Sequence, residues 1–120
     1  MTPAAEPATY VAAALMLYVD LPETPMRYNL TDQALARQLH EDGVSLALVE
    51  SAFLLATLRR LVRPADLPRL PRIRSLAYFL PVIDELRQQP LPAGYPEYLR
   101  LNLANVSRPD DQKSTFLRDR

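Results

Sequence analysis

The sequence predicts an all-α, compact single-domain bundle of about five helices with a Pro/Arg-rich connector. Two observations predict it. Apolar residues recur at helical spacing in successive segments, and several segments open on a side chain suited to capping a helix. The chain also holds 2 glycines against 12 prolines. So few glycines leave little room for repeated tight hairpins, whose turns require positive φ. With 120 residues, a single modest core is expected.

Residues 1–7 read as a flexible lead rich in Pro and Ala. Ala8 to Asp20 is apolar nearly all round, which predicts a buried helix with a buried strand as the alternative. Leu21 to Asn29 is a Pro-punctuated turn. Thr31 then suits an N-cap, with Leu30 placed to staple onto Leu35, and predicts a helix from about Asp32 to Asp42. Gly43 ends it as an αL cap. Ser45 is the next N-cap, with Val44 and Val49 as the staple. The helix it starts, about Leu46 to Val62, is apolar on most of its circumference and should be the central one. Glu50, Thr57 and Arg60 form its narrow polar strip.

Pro64, Pro68 and Pro71 forbid helix through the following connector. Ser75 to Gln88 resumes helical spacing with Leu76, Phe79, Ile83 and Leu86 on one face. Pro81 either kinks that helix or falls in its first turn. A last helix runs from about Pro96 to Asn105. The helical domain therefore covers 8–106, and residues 107–120 read as a polar, disordered tail.

Composition excludes several functions. Cysteine is absent, so no thiolate zinc site and no thiol nucleophile can form. A chain without cysteine suits a reducing cytoplasm. The apolar run from Tyr10 to Val19 is too short to span a bilayer, so no membrane role is expected. His40 is the sole histidine and has no companion for a triad or a metal site. Glu41–Asp42, Asp84–Glu85 and Asp110–Asp111 are adjacent pairs. Neighbours on a helix diverge, so such carboxylates do not converge as an acid–base pair must. The chain therefore reads as non-enzymatic, with no cofactor, no metal and no small-molecule substrate.

Charge is the informative feature. The chain is formally neutral, yet residues 1–58 hold seven acids and two arginines while residues 59–120 hold twelve basic residues and seven acids. Six arginines crowd the stretch RRLVRPADLPRLPRIR, Arg59 to Arg74, against the single acid Asp66. Such a patch either binds phosphates or pairs with carboxylates elsewhere. Arg59 and Arg60 sit on the last turn of the buried helix and read as structural. Arg63, Arg69, Arg72 and Arg74 are the candidate nucleic-acid contacts, with Tyr78 one turn beyond Arg74 as a base-stacking platform. In the opposing reading the arginines pair with Glu41, Asp42, Glu50 or Asp84, and Tyr78 belongs to the core.

The two capped helices meeting at Gly43 also invite comparison with a helix-turn-helix. The outward positions at the start of the second helix would be Ser45, Leu46, Ala47, Glu50 and Ser51, none of them basic. A recognition helix needs side chains that reach base edges. The pair reads instead as an αα-hairpin of the core.

The segment ARQLHEDGVSLALVESAFLLA, Ala36 to Ala56, followed by IRSLAYFLPVIDEL, Ile73 to Leu86, resembles the C-terminal domain of the DnaD family of primosomal replication-initiation proteins of bacteria, phages and plasmids. Tyr78 and Val82 fit the family's Tyr-x-x-x-Ile pattern, and Leu86 stands where the family has Trp. The resemblance covers about residues 36–86 and implies single-stranded DNA binding, oligomerisation and contact with replication proteins. The chain is also similar to small helper proteins of bacterial mobile elements. The expectation is a small accessory protein that binds nucleic acid, single-stranded DNA above all. The alternative is a protein–protein interaction subunit, or a homo-oligomer, whose arginines meet an acidic partner.

Overall fold

The computed structural model describes residues 6–92 and 94–107, the last two as backbone only. The expected flexible lead falls largely, and the expected disordered tail almost wholly, outside the described residues. The order is α1 (Pro7–Val19), α2 (Leu30–Glu41), α3 (Leu46–Leu61), a 3-10 turn (Leu76–Phe79), α4 (Leu80–Gln88) and α5 (Tyr95–Ser107). The protein is all-α, and no strand occurs among the described residues.

α3 is the hub. It packs against α5, α4 and α1, and these neighbours bury Val49, Ala52, Phe53 and Ala56. Even its polar strip is partly enclosed: Thr57 is buried, and its hydroxyl donates to the Phe53 carbonyl at 2.7 Å. Ser51, expected outside, is buried as well. It lines a cleft whose other wall includes Pro92 and Gly94, just ahead of α5. On α1, Tyr10, Val11, Ala14, Leu15 and Tyr18 face inward, whereas Met16 is 57% exposed. The segment is thus a helix with an open side rather than one enclosed all round.

α2 departs from expectation in two ways. Its N-cap is Asn29, not Thr31. The Asn29 carboxamide accepts from the Asp32 amide at 2.8 Å, and the Asp32 carboxylate accepts from the Asn29 amide at 3.1 Å. This reciprocal capping box satisfies two backbone donors, where a lone Thr31 would satisfy one. Leu30 is therefore left 80% exposed instead of stapling onto Leu35. Secondly, α2 packs on α1 and barely touches α3, so the two helices are not an αα-hairpin. Gly43, at φ 79°, reverses the chain after α2, and the Tyr10 hydroxyl donates to the Val44 carbonyl at 2.7 Å. α1 thereby holds the turn while α3 presents its faces to other helices. Ser45 caps α3 as expected, accepting from the Leu48 amide at 3.1 Å.

Asp32 also reaches across the fold. Its second carboxylate oxygen accepts from the Leu76 amide at 2.9 Å and so fastens the 3-10 turn to the head of α2. Pro81 occupies the first turn of α4, where its missing N–H costs nothing, and the 3-10 turn before it absorbs the change of direction.

Tyr18, Phe53 and Phe79 meet at the centre, with Phe53 and Phe79 centroids 4.7 Å apart. The Tyr18 hydroxyl is buried there without a hydrogen-bond partner among the described residues. Burial first, and the Asp32 charge second, push this phenol up to about 12. Burial does the same to Tyr10. Both raised values mean that the unfolded chain loses these protons first, so stability should fall as pH rises above about 10. Tyr18→Phe removes a desolvated, unpaired hydroxyl and should stabilise the fold by about 1 kcal/mol at pH 7. Urea melts of the two proteins at pH 7 and in alkali would check both statements, and the variant should lose less stability in alkali.

Candidate nucleic-acid interface

The site is built where α3 ends. Arg59 and Arg60 are on its last turn, and the chain then doubles back beneath them. Arg59 donates two parallel hydrogen bonds, of 2.9 and 2.8 Å, to the two oxygens of Glu85 on α4. These bonds hold the Glu85 carboxyl below its ordinary range and raise the Arg59 guanidinium. Arg60 is enclosed, its side chain 6% exposed. It donates to Glu23 at 2.8 Å, to the Tyr78 hydroxyl at 3.2 Å and to the Pro71 carbonyl at 2.9 Å. Burial works to lower its pKa, but its bonds to Tyr78 and Glu23 outweigh that and leave it raised. Both arginines are structural, as expected, but through Glu85 and Glu23 rather than the acids the sequence suggested.

The connector itself carries a pattern that composition hides. Residues 68–74 form no helix, strand, turn or bend. Proline fixes φ at 68 and 71 and disfavours helix at the residue before each, and the chain bends at Leu67 as it enters this segment. Leu67-Pro68-Arg69 and Leu70-Pro71-Arg72 repeat every three residues in the sequence. Ile73 is buried, whereas Leu67, Leu70, Arg69 and Arg72 are exposed and line one cleft. Carbonyls three residues apart are also held: Pro71 by Arg60 at 2.9 Å, and Pro68 by Nε of Arg63 at 3.3 Å.

Between this segment and the end of α3 lies an open cleft of about 470 Å³. Arg60, Arg63, Arg69 and Arg72 line it, with Leu67 and Leu70 on its apolar wall. Of the sequence candidates, the fold brings Arg63, Arg69 and Arg72 to this cleft. Arg69 and Arg72 make no ion pair or hydrogen bond among the described residues. Arg63 is partly committed to the Pro68 carbonyl. Arg74 is exposed but does not line the cleft. Tyr78 is neither core nor free: it is 39% exposed, and the Arg60 guanidinium carbon lies 5.2 Å from its ring centroid.

Sequence reasoning missed Glu23. It lies in the Pro-punctuated turn and reaches Arg60, 37 positions away, from a backbone at φ 68°. No local pattern signals that reach. Glu23–Arg60 and Glu50–Arg100 both join the acidic half of the chain to the basic half, so part of the charge separation is neutralised internally. No helix among the described residues is long and apolar enough to cross a membrane. No protein-family model, curated protein or solved structure matches this chain.

Proposed function

We propose that this chain is a small non-enzymatic accessory protein that binds single-stranded nucleic acid in the cytoplasm, in replication or mobile-element function. The DnaD-like resemblance suggests that setting. The observation that carries the binding is the pair Arg69 and Arg72, exposed, without an ion pair among the described residues, and lining the same apolar-walled cleft. Guanidinium groups hold the phosphates, and the Leu67–Leu70 wall shelters the sugars and bases. A single strand suits such a cleft because its bases are free to turn inward. Arg63 supports the segment and adds positive charge. Arg74 and Tyr78 extend the surface beyond the cleft, with the open part of the Tyr78 ring available to a base.

Fluorescence anisotropy with labelled single-stranded and duplex oligonucleotides at two salt concentrations tests the reading. The triple change Arg69, Arg72 and Arg74→Ala should weaken single-strand binding across unrelated sequences, because phosphate contacts carry no base information. The log–log salt slope should flatten by about 0.7 for each phosphate that the variant no longer neutralises. Tyr78→Leu should cost about 1–3 kcal/mol of affinity with the slope unchanged. If the wild-type protein binds no nucleic acid in a salt-dependent way, the reading fails. The exposed Leu67 and Leu70 would then favour the second reading, an acidic protein surface that meets the same segment.

A further inference from the structure

Glu23 is the one acid among the residues lining the arginine cleft. Its backbone is in the left-handed region at φ 68°, and Met26 in the same turn is at φ 67°. Side chains with a Cβ enter that region at a cost, and such outliers mark places where the surroundings over-determine the backbone. The turn itself is closed by the Thr24 hydroxyl, which donates to the Leu21 carbonyl at 2.8 Å. That bond needs no carboxylate at position 23. What the unusual backbone does achieve is to seat the Glu23 carboxylate on Arg60.

The seat is imperfect. Nε and Nη2 of Arg60 both address the same oxygen of Glu23, each at 2.8 Å. Arg59 and Glu85, by contrast, form the full fork with two oxygens and two nitrogens. The Glu23 side chain is 41% exposed, so it is open to exchange. A phosphate can offer a separate oxygen to each nitrogen and carries at least as much charge.

The geometry points to Glu23 as an internal stand-in for phosphate: it occupies an anion subsite headed by Arg60, and a phosphate group of the ligand displaces it. The inference rests on the phosphate-binding reading of the cleft and deepens it. Arg60 becomes a ligand group that is masked at rest, and the turn carrying Glu23 and Met26 is the part that moves. Binding is thereby weakened by a competitor that the chain itself supplies.

The test compares wild type with Glu23→Gln and Glu23→Gly. Glutamine keeps the size and removes the charge, while glycine also suits the positive φ, so agreement between them separates charge from backbone strain. Two probes are titrated: oligothymidylate by anisotropy and inorganic tripolyphosphate by calorimetry. Both variants should bind oligothymidylate about tenfold more tightly, the equivalent of one charge-assisted hydrogen bond released for the ligand. Adding Arg60→Ala should abolish the gain. Thermal melts verify that each variant is folded. Unchanged or weaker binding of both probes by folded Glu23→Gln and Glu23→Gly overturns the inference. If no protein binds the oligonucleotide but both variants gain affinity for tripolyphosphate, the masked subsite stands and the nucleic-acid reading falls.

Discussion

Phe53→Ala should destabilise the fold by about 3–5 kcal/mol, the range for deleting a large aromatic from a packed core. Phe53 is 1% exposed and touches rings from two other parts of the chain, Tyr18 of α1 and Phe79 of the 3-10 turn. Its removal opens a void that none of the three elements can close alone, because each is fixed elsewhere. α1 is tied to the Val44 turn by Tyr10, and the 3-10 turn is tied to α2 by Asp32. A domain of this size has a total stability of about 5–15 kcal/mol, so the variant should be marginal at 37 °C. Urea denaturation followed by far-ultraviolet dichroism measures the loss. A change below about 1 kcal/mol would mean that α3 is not the hub.

Asp32→Ala should cost nearly as much, about 3–4 kcal/mol, although it removes few atoms. The carboxylate is buried and accepts from two backbone amides, Asn29 at the head of α2 and Leu76 at the head of the 3-10 turn. Hydrogen bonds to a charged acceptor are each worth about 1.5–3 kcal/mol, and alanine leaves the buried Leu76 donor unmatched. Asn29→Ala provides the comparison. It removes the cap on the Asp32 amide and leaves the Leu76 bond intact, so it should cost only about 1 kcal/mol. Equal losses in the two variants would show that the link to Leu76 contributes nothing. Amide exchange at Leu76 reads the same bond directly and should accelerate in Asp32→Ala alone.

Much of the fold is legible in the sequence because its determinants are local. Ser45, the apolar circumference of α3, Gly43 and the first-turn position of Pro81 each act within a turn or two of where they stand. Thr31 misled because an Asn at 29 and an Asp at 32 form a stronger reciprocal cap than one hydroxyl. The αα-hairpin failed for a different reason. Sequence proximity suggests that α2 and α3 pack together, but α3 offers its faces to α1, α4 and α5, and the thin stripe of α2 is satisfied by α1. The candidate site was legible only as composition. An excess of arginine can be counted, yet the partners of Arg59 and Arg60 depend on how α3 meets α4 and the 20–29 turn. The split between paired Arg60 and Arg69 and Arg72, which have no ion pair among the described residues, is therefore a tertiary property.

The grip of Arg60 and Arg63 on the Pro71 and Pro68 carbonyls has a consequence for how the connector tolerates changes of length. Inserting or deleting one residue changes the reach of an extended stretch by about 3.3–3.6 Å. Between Pro68 and Pro71 such a change would swing one carbonyl away from its arginine. Between Pro71 and Ile73 it would pull Ile73 out of the core. The connector has the appearance of a loop, where length is usually free to drift, but its two held carbonyls and the buried Ile73 set how many residues fit between them.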